Sequence, residues 1–220
     1  MDSPDAFIFD LNGTMIDDME YHNAAWYAIL NEDLKAGLTR AEVKSQMYGK
    51  NEELLERVFG KGRFTSAEAA EISRKKELSY QAAFKDHLRL IDGLPAFLEK
   101  ARLHRFRMAI GSAAIPFNID FVLDNLGIRH YFDAIVSADD VTRSKPEPET
   151  FMKAAAALKI PPSGCLVFED APKGVEAAGR AGMSCIVLTT MHEKEEFRGY
   201  PNVLRYIADY TDASLDEFFI

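Results

Sequence analysis

Residues 6–14 read Ala6-Phe7-Ile8-Phe9-Asp10-Leu11-Asn12-Gly13-Thr14. The apolar run Ala6 to Phe9 is too short for a helix and too continuously apolar for a half-exposed strand. It predicts a strand buried on both faces, the pattern of a central strand in a parallel sheet. An aspartate and a glycine-containing turn follow at its C-terminal end, the edge at which open parallel sheets bind ligands. Four further runs repeat the pattern: Met108-Ala109-Ile110, Ala134-Ile135-Val136, Cys165-Leu166-Val167-Phe168 and Cys185-Ile186-Val187-Leu188. Helical stretches lie between them. Pro116 suits a first helical turn and Gly127 the residue after a last one, and Pro172 and Gly182 bracket a second such helix. Alternating strands and helices predict an α/β fold, a Rossmann-like doubly wound parallel sheet.

One block interrupts the alternation. Between residues 17 and 87 no strand candidate occurs. Thr39-Arg40-Ala41-Glu42 and Thr65-Ser66-Ala67-Glu68 both fit the capping box, in which side chains at the two ends satisfy each other's free backbone donors. Asn51 is placed to cap a helix carrying Leu54, Leu55 and Val58, and Trp26, Ile29 and Leu30 have the spacing of a helical core. The expected organisation is a sheet core of residues 1–16 and 88–220, with an all-helical domain of residues 17–87 inserted after the first strand.

Composition narrows the function. The chain has 35 acidic and 26 basic residues, a formal net charge of -9, which argues against nucleic acid or an anionic membrane as partner. A small anion remains admissible, because a bound divalent cation reverses the local field. No stretch has the length of a membrane span. The start, Met1-Asp2-Ser3-Pro4-Asp5, lacks the basic flank and apolar run of a secretory signal, so a cytoplasmic protein is expected. Cys165 and Cys185 sit in apolar runs and read as buried reduced thiols.

The residues ending the strands test directly for a site. They are Asp10 after the first, Gly111-Ser112 after the second, Ser144-Lys145-Pro146 beyond the third and Glu169-Asp170 after the fourth. Carboxylates, a hydroxyl and a lysine on one rim are the equipment of Mg²⁺-dependent phosphoryl transfer. Oxygen ligands hold the hard cation, while hydroxyl, ammonium and backbone N–H groups hold the phosphate.

These four strand ends resemble, in order, the four motifs of the haloacid dehalogenase superfamily. Phe9-Asp10-Leu11-Asn12-Gly13-Thr14 is similar to its first motif, Asp-x-Asp-Gly-Thr/Val. Glu20-Tyr21-His22 with Ala25-Trp26 resembles the β-phosphoglucomutase-like branch, and the helical insert its cap domain. The resemblance implies that Asp10 is the nucleophile, forming an aspartyl-phosphate. It implies that Asp170, Asp10 and the backbone carbonyl of Asn12 ligate Mg²⁺, with Glu169 a ligand or a support for one. Ser112 would hydrogen-bond the transferring phosphoryl group and Lys145 would neutralise charge. Thr14, Gly111 and Ala113, beside these motifs, are expected to line the substrate.

One position departs from the pattern. The family places a second aspartate where this chain has Asn12, and that aspartate acts as general acid and base. An amide keeps the shape but cannot shuttle a proton. General acid–base catalysis contributes about 10²–10⁴ in rate, so Asn12 implies slow turnover or a long-lived phospho-aspartate. In the insert, the resemblance makes His22, Lys50 and Lys76 substrate-binding candidates. Lys50 stands where arginine is usual, a point charge in place of a bidentate fork. Lys76 lies in Arg74-Lys75-Lys76-Glu77, which by composition reads as a solvated helix face. His87, His104, His130 and His192 show no metal-ligand spacing.

Three functions follow as expectations. The first is a phosphatase of a small phosphorylated metabolite, a sugar phosphate. The second is a hexose phosphomutase. The third, resting on Asn12, is a binder that has lost turnover. No apolar stripe advertises an interface, and a monomer is expected.

Overall fold

The computed structural model describes residues 4–219, so Met1-Asp2-Ser3 of the N-terminal stretch lie outside the described residues. The chain divides into two compact units, Met1–Asp17 with Arg89–Ile220, and Asp18–Leu88.

The first unit holds a six-stranded sheet: β1 (Ala6–Phe9), β2 (Arg107–Gly111), β3 (Ala134–Val136), β4 (Cys165–Glu169), β5 (Ser184–Leu188) and β6 (Val203–Ile207). Its order is β3-β2-β1-β4-β5-β6 and every pairing is parallel. The sequence predicts five of these strands and misses β6. That strand pairs on one side only, four of its five residues are half-buried, and Arg205 interrupts its apolar run. An edge strand has no need of the continuous apolar run that marks a central one.

All four residues of β1 are buried, and they alternate between two layers. Ala6 and Ile8 pack with Phe151, Ala154 and Leu158 of helix α7 (Glu149–Leu158) and with Val175 and Ala178 of α8 (Pro172–Arg180). Phe7 and Phe9 turn to the opposite face. There the Phe7 ring centre lies 5.2 Å from that of Phe97 on α5 (Leu94–Leu103), and Phe9 stacks on Phe168 of β4 at 5.0 Å. Burying each such ring contributes on the order of 2 kcal/mol. Pro116 opens α6 (Pro116–Leu126) and Gly127 ends it in the left-handed conformation, as the sequence predicts. From β1 the chain builds β2 and β3 on one side, then crosses to build β4, β5 and β6 on the other. The order therefore reverses at β1 and β4, and the crevice at such a reversal is where open sheets bind ligands.

The second unit is helical throughout. Helix α1 (Met19–Tyr27) runs on through a π-helical turn, Ala28–Asp33, and is followed by α2 (Arg40–Gln46), α3 (Asn51–Phe59) and α4 (Ser66–Phe84). Both capping boxes form, at Thr39 with Glu42 and at Thr65 with Glu68. The expected cap at Asn51 shifts by one residue: Lys50 occupies the N-cap position, and the Asn51 amide donates instead to Glu77 at 2.8 Å. Trp26, Ile29, Leu30, Leu54 and Leu55 form the core. Among the described residues no helix is long and apolar enough to cross a membrane, and Cys165 and Cys185 are buried free thiols.

Candidate active site

The loop leaving β1 is folded back on itself. The Met15 N–H donates to the Leu11 carbonyl and the Gly13 N–H to that of Ile16, both at 2.8 Å, and Asn12 bridges to Ile16. Gly13 takes φ +73°, and a Cβ there would lie 2.1 Å from Oδ2 of Asp170. Only glycine meets both conditions. The turn thus sets the end of β1 directly against the end of β4, where the Thr14 hydroxyl donates to Asp170 Oδ1 at 3.2 Å.

Lys145 reaches the same place from the segment between β3 and α7. Its ammonium donates at 2.7 Å to both Asp10 Oδ1 and Glu169 Oε1, and lies 4.6 Å from the centre of the Phe151 ring. The other oxygen of Glu169 accepts the N–H groups of Asp170 and Ala171 at 2.9 Å each, at the start of α8. Glu169 is therefore held at both oxygens. A Cβ on Gly174 would fall 1.7 Å from its Oε1, so the glycine makes room for the carboxylate. Ser112 hydrogen-bonds Asp10, and its oxygen accepts the Ala114 N–H at 3.1 Å.

The structure thus brings Asp10, Thr14, Ser112, Lys145, Glu169 and Asp170 together, with Asn12 half-buried in the same loop. Gly111 is buried at the end of β2, where a side chain would press on Phe151 and Ile8. Ala113 follows Ser112, half-buried.

Three carboxylates face one ammonium in a dry setting, and the titration of Asp10 and Asp170 reflects it. Burial pushes the Asp10 carboxyl up to about 6; Lys145 pulls it down and Glu169 adds to the rise. Asp170 is raised well above the ordinary carboxylate value, by burial first and then by the charges of Glu169 and Asp10. Burial works to lower the Lys145 ammonium, but Asp10 and Glu169 outweigh it and hold the group above its ordinary value. The site carries more negative charge than its own lysine balances. Among the described residues no three His, Cys, Asp or Glu side chains are grouped as a metal cage.

The remaining candidates, His22, Lys50 and Lys76, belong to the helical unit. Lys50 is half-buried at the start of α3, with its N–H bound to Glu53. Lys76 corrects an expectation. Arg74 and Lys75 are solvated, but Lys76 is 2% exposed. Its ammonium lies 2.6 Å from His22 Nδ1 and 3.0 Å from each oxygen of Glu77. An ammonium can only donate, so towards a charged Lys76 the His22 Nδ1 is the acceptor. Nε2 faces Asp18 Oδ2 at 3.2 Å, and the same oxygen accepts the Tyr80 hydroxyl at 2.5 Å. Burial lowers the Lys76 pKa, opposed by the charge of Glu77.

Sequence reading missed Asp18, Glu77 and Tyr80. A signal was present, because Ser73, Lys76, Glu77, Tyr80 and Phe84 share one face of α4 at helical spacing, and all five are buried. Their mostly polar character hides the stripe from a search for apolar residues.

A family model of haloacid dehalogenase-like hydrolases matches residues 4–182. The chain is 32% identical over 227 residues to the β-phosphoglucomutase of Bacillus subtilis, covering 96% of this chain and 94% of that one. It is 30% identical over 185 residues to the fructose-1-phosphate phosphatase YqaB of Escherichia coli, covering 81% and 93%. Among solved structures, a mutant CbbY from Rhodobacter sphaeroides in complex with xylulose-(1,5)bisphosphate superposes with a TM-score of 0.80 at 26% identity, over 95% of this chain and 96% of that one. The order of the motifs, the reversed parallel sheet and these likenesses agree: the chain belongs to the haloacid dehalogenase-like hydrolases, and is an enzyme of their β-phosphoglucomutase-like phosphatase and phosphomutase branch.

Proposed function

We propose that this protein is a Mg²⁺-dependent phosphatase of a small phosphorylated metabolite, a sugar phosphate, acting through an aspartyl-phosphate on Asp10. The observation that carries the reading is the shared ammonium of Lys145, bound to Asp10 and Glu169 with Asp170 alongside. The excess of buried carboxylate fits a hard divalent cation. Mg²⁺ is commonly held by one or two carboxylates with waters completing its shell. Asp10 and Asp170, with the Asn12 backbone carbonyl, would hold it. Glu169, hydrogen-bonded through both oxygens, would stand beside them as a further ligand or as a support for one. When bound, the cation lessens repulsion between the carboxylates and an incoming phosphate.

An Asp10 oxygen attacks phosphorus and the bond to the sugar oxygen breaks, leaving the phosphoryl group on Asp10. Water then attacks that phosphorus, releases phosphate and restores the carboxylate. Lys145 offsets negative charge on Asp10, and the Ser112 hydroxyl, already bonded to Asp10, orients the phosphoryl oxygens. The leaving oxygen needs a proton that Asn12 cannot deliver, so the first step favours a substrate with a good leaving group. Thr14, Gly111 and Ala113 line the phosphate. Residues 17–87 act as the substrate-choosing cap, through His22, Lys50 and Lys76. The enzyme works in the cytoplasm as a single chain, without nucleic acid or membrane.

The test is phosphate release with Mg²⁺ from a panel including fructose 1-phosphate, β-glucose 1-phosphate and xylulose 1,5-bisphosphate. Asn12→Asp should raise the rate about a hundredfold, and Asp10→Ala should abolish it. Unchanged release in Asp10→Ala overturns the aspartyl-phosphate. Glucose 6-phosphate appearing from β-glucose 1-phosphate with a bisphosphate primer, and no free phosphate, would assign a mutase instead. Binding without turnover in both chains would assign a binder.

A further inference from the structure

Three consecutive carbonyls of the catalytic loop are each held by a different distant segment. The Thr190 hydroxyl, two residues beyond β5, donates to the Gly13 carbonyl at 2.6 Å. The Tyr210 hydroxyl, beyond β6, donates to the Thr14 carbonyl at 3.1 Å. The Ile91 N–H donates to the Met15 carbonyl at 2.9 Å. The third is a backbone contact that any residue but proline could make. The first two depend on side chains from the far half of the sheet.

Those two hydroxyls fix the peptide units on either side of the Thr14 Cα, and so aim the Thr14 side chain at Asp170. The unit between Asn12 and Gly13 is pinned from its own N–H to Ile16, so the direction of the Asn12 carbonyl follows from the same fold of the loop. Tyr210 is itself rigidly seated. It is 5% exposed, its N–H donates to Asp92 at 2.9 Å, and its ring packs 5.4 Å from Phe168 and 5.6 Å from Phe97. A hydroxyl anchored in this way resists rotation of the carbonyl it holds.

The geometry points to Thr190 and Tyr210 as positioning residues that set the affinity of the site for a divalent cation. Neither touches Asp10 or Asp170 by a hydrogen bond; they act through the backbone that carries the Asn12 carbonyl and the Thr14 hydroxyl. This rests on the cation reading above. Residues that orient metal ligands typically contribute 10- to 100-fold in metal affinity or activity.

The experiment is calorimetric titration of Mg²⁺ into the full chain, Thr190→Val, Tyr210→Phe and Thr190→Ser, with the Mg²⁺ dependence of phosphate release measured in parallel. Both isosteric losses should raise the Mg²⁺ Kd about tenfold. They should raise the half-saturating Mg²⁺ concentration in step, while kcat at saturating Mg²⁺ stays within about threefold. Thr190→Ser, which restores the hydroxyl, should return the Kd to within about twofold of the parent. If the parent binds Mg²⁺ and both Thr190→Val and Tyr210→Phe bind it equally well, the positioning role is overturned. A fall in thermal stability with no change in Kd overturns it too. If the parent binds no Mg²⁺, the cation reading itself falls, and this proposal with it. Should Tyr210→Phe not fold, the Val and Ser pair at residue 190 decides the matter.

Discussion

Lys145 and Glu169 meet at 2.7 Å, the lysine from a segment before α7 and the glutamate from the end of β4, both almost wholly buried. Because Lys145 also binds Asp10, one ammonium compensates carboxylates from two neighbouring strands. Breaking a buried ion pair from one side leaves a desolvated charge without its partner, at a cost of about 3–5 kcal/mol. Lys145→Met should lower the unfolding free energy in urea by that order and remove phosphate release. Unfolding free energy unchanged within 1 kcal/mol or so would mean the carboxylates find compensation elsewhere.

Gly174 offers a steric test of the same carboxylate. Gly174→Ala puts a methyl group where Glu169 Oε1 now lies, whereas Gly182→Ala adds one in open space at φ +77°. The second change should cost about 1 kcal/mol from backbone strain alone, and the first at least twice as much. Combining Gly174→Ala with Glu169→Ala should be less destabilising than the sum of the two singles, because the clash goes with the carboxylate. Strict additivity in a double-mutant cycle would refute this.

Lys75 and Lys76 are neighbours in sequence with opposite environments. Lys75 is paired with Asp33 in solvent, and its loss should change stability by less than about 0.5 kcal/mol. Lys76→Met leaves Glu77 buried without its closest cation, and should lower the thermal midpoint far more. The double variant Lys76→Met/Glu77→Gln should recover part of that loss. Equal midpoints for Lys75→Met and Lys76→Met would contradict the burial described.

Cys165 gives a pH dependence with a definite sign. Burial, reinforced by Asp5, pushes its thiol up to about 11 from 9.0. Ionisation is therefore harder in the folded chain than in the unfolded one. The stabilising effect of the neutral thiol is complete below pH 9 and is lost as pH climbs through 11. The stability difference between the parent and Cys165→Ala should be constant up to pH 9 and should shrink above it. A difference that stays flat to pH 11 would show the thiol titrating normally.

The central sheet and the four clustered motifs are legible in the sequence because burial on both faces leaves an unbroken apolar run, and the functional residue stands at its end. Asp10 and Glu169 directly follow a run of that kind, and Ser112 follows one after the single residue Gly111. What stays hidden depends on partners distant in sequence. β6 needs no continuous apolar run. Lys76 looks solvated until His22 and Glu77 are folded against it. Thr190 and Tyr210 carry no motif, since each hydroxyl donates to a backbone carbonyl, an acceptor that every residue type carries.

The hydrogen bond from Ile91 to Met15 joins the chain just before it leaves for the helical insert to the chain just after it returns. To the sheet, the insert is a closed side-loop whose two feet are already tied. Its contents can change without altering the register of any strand. A chimera carrying a relative's helices on this base should therefore keep the fold of the loop after β1, with the Ile91 to Met15 hydrogen bond intact.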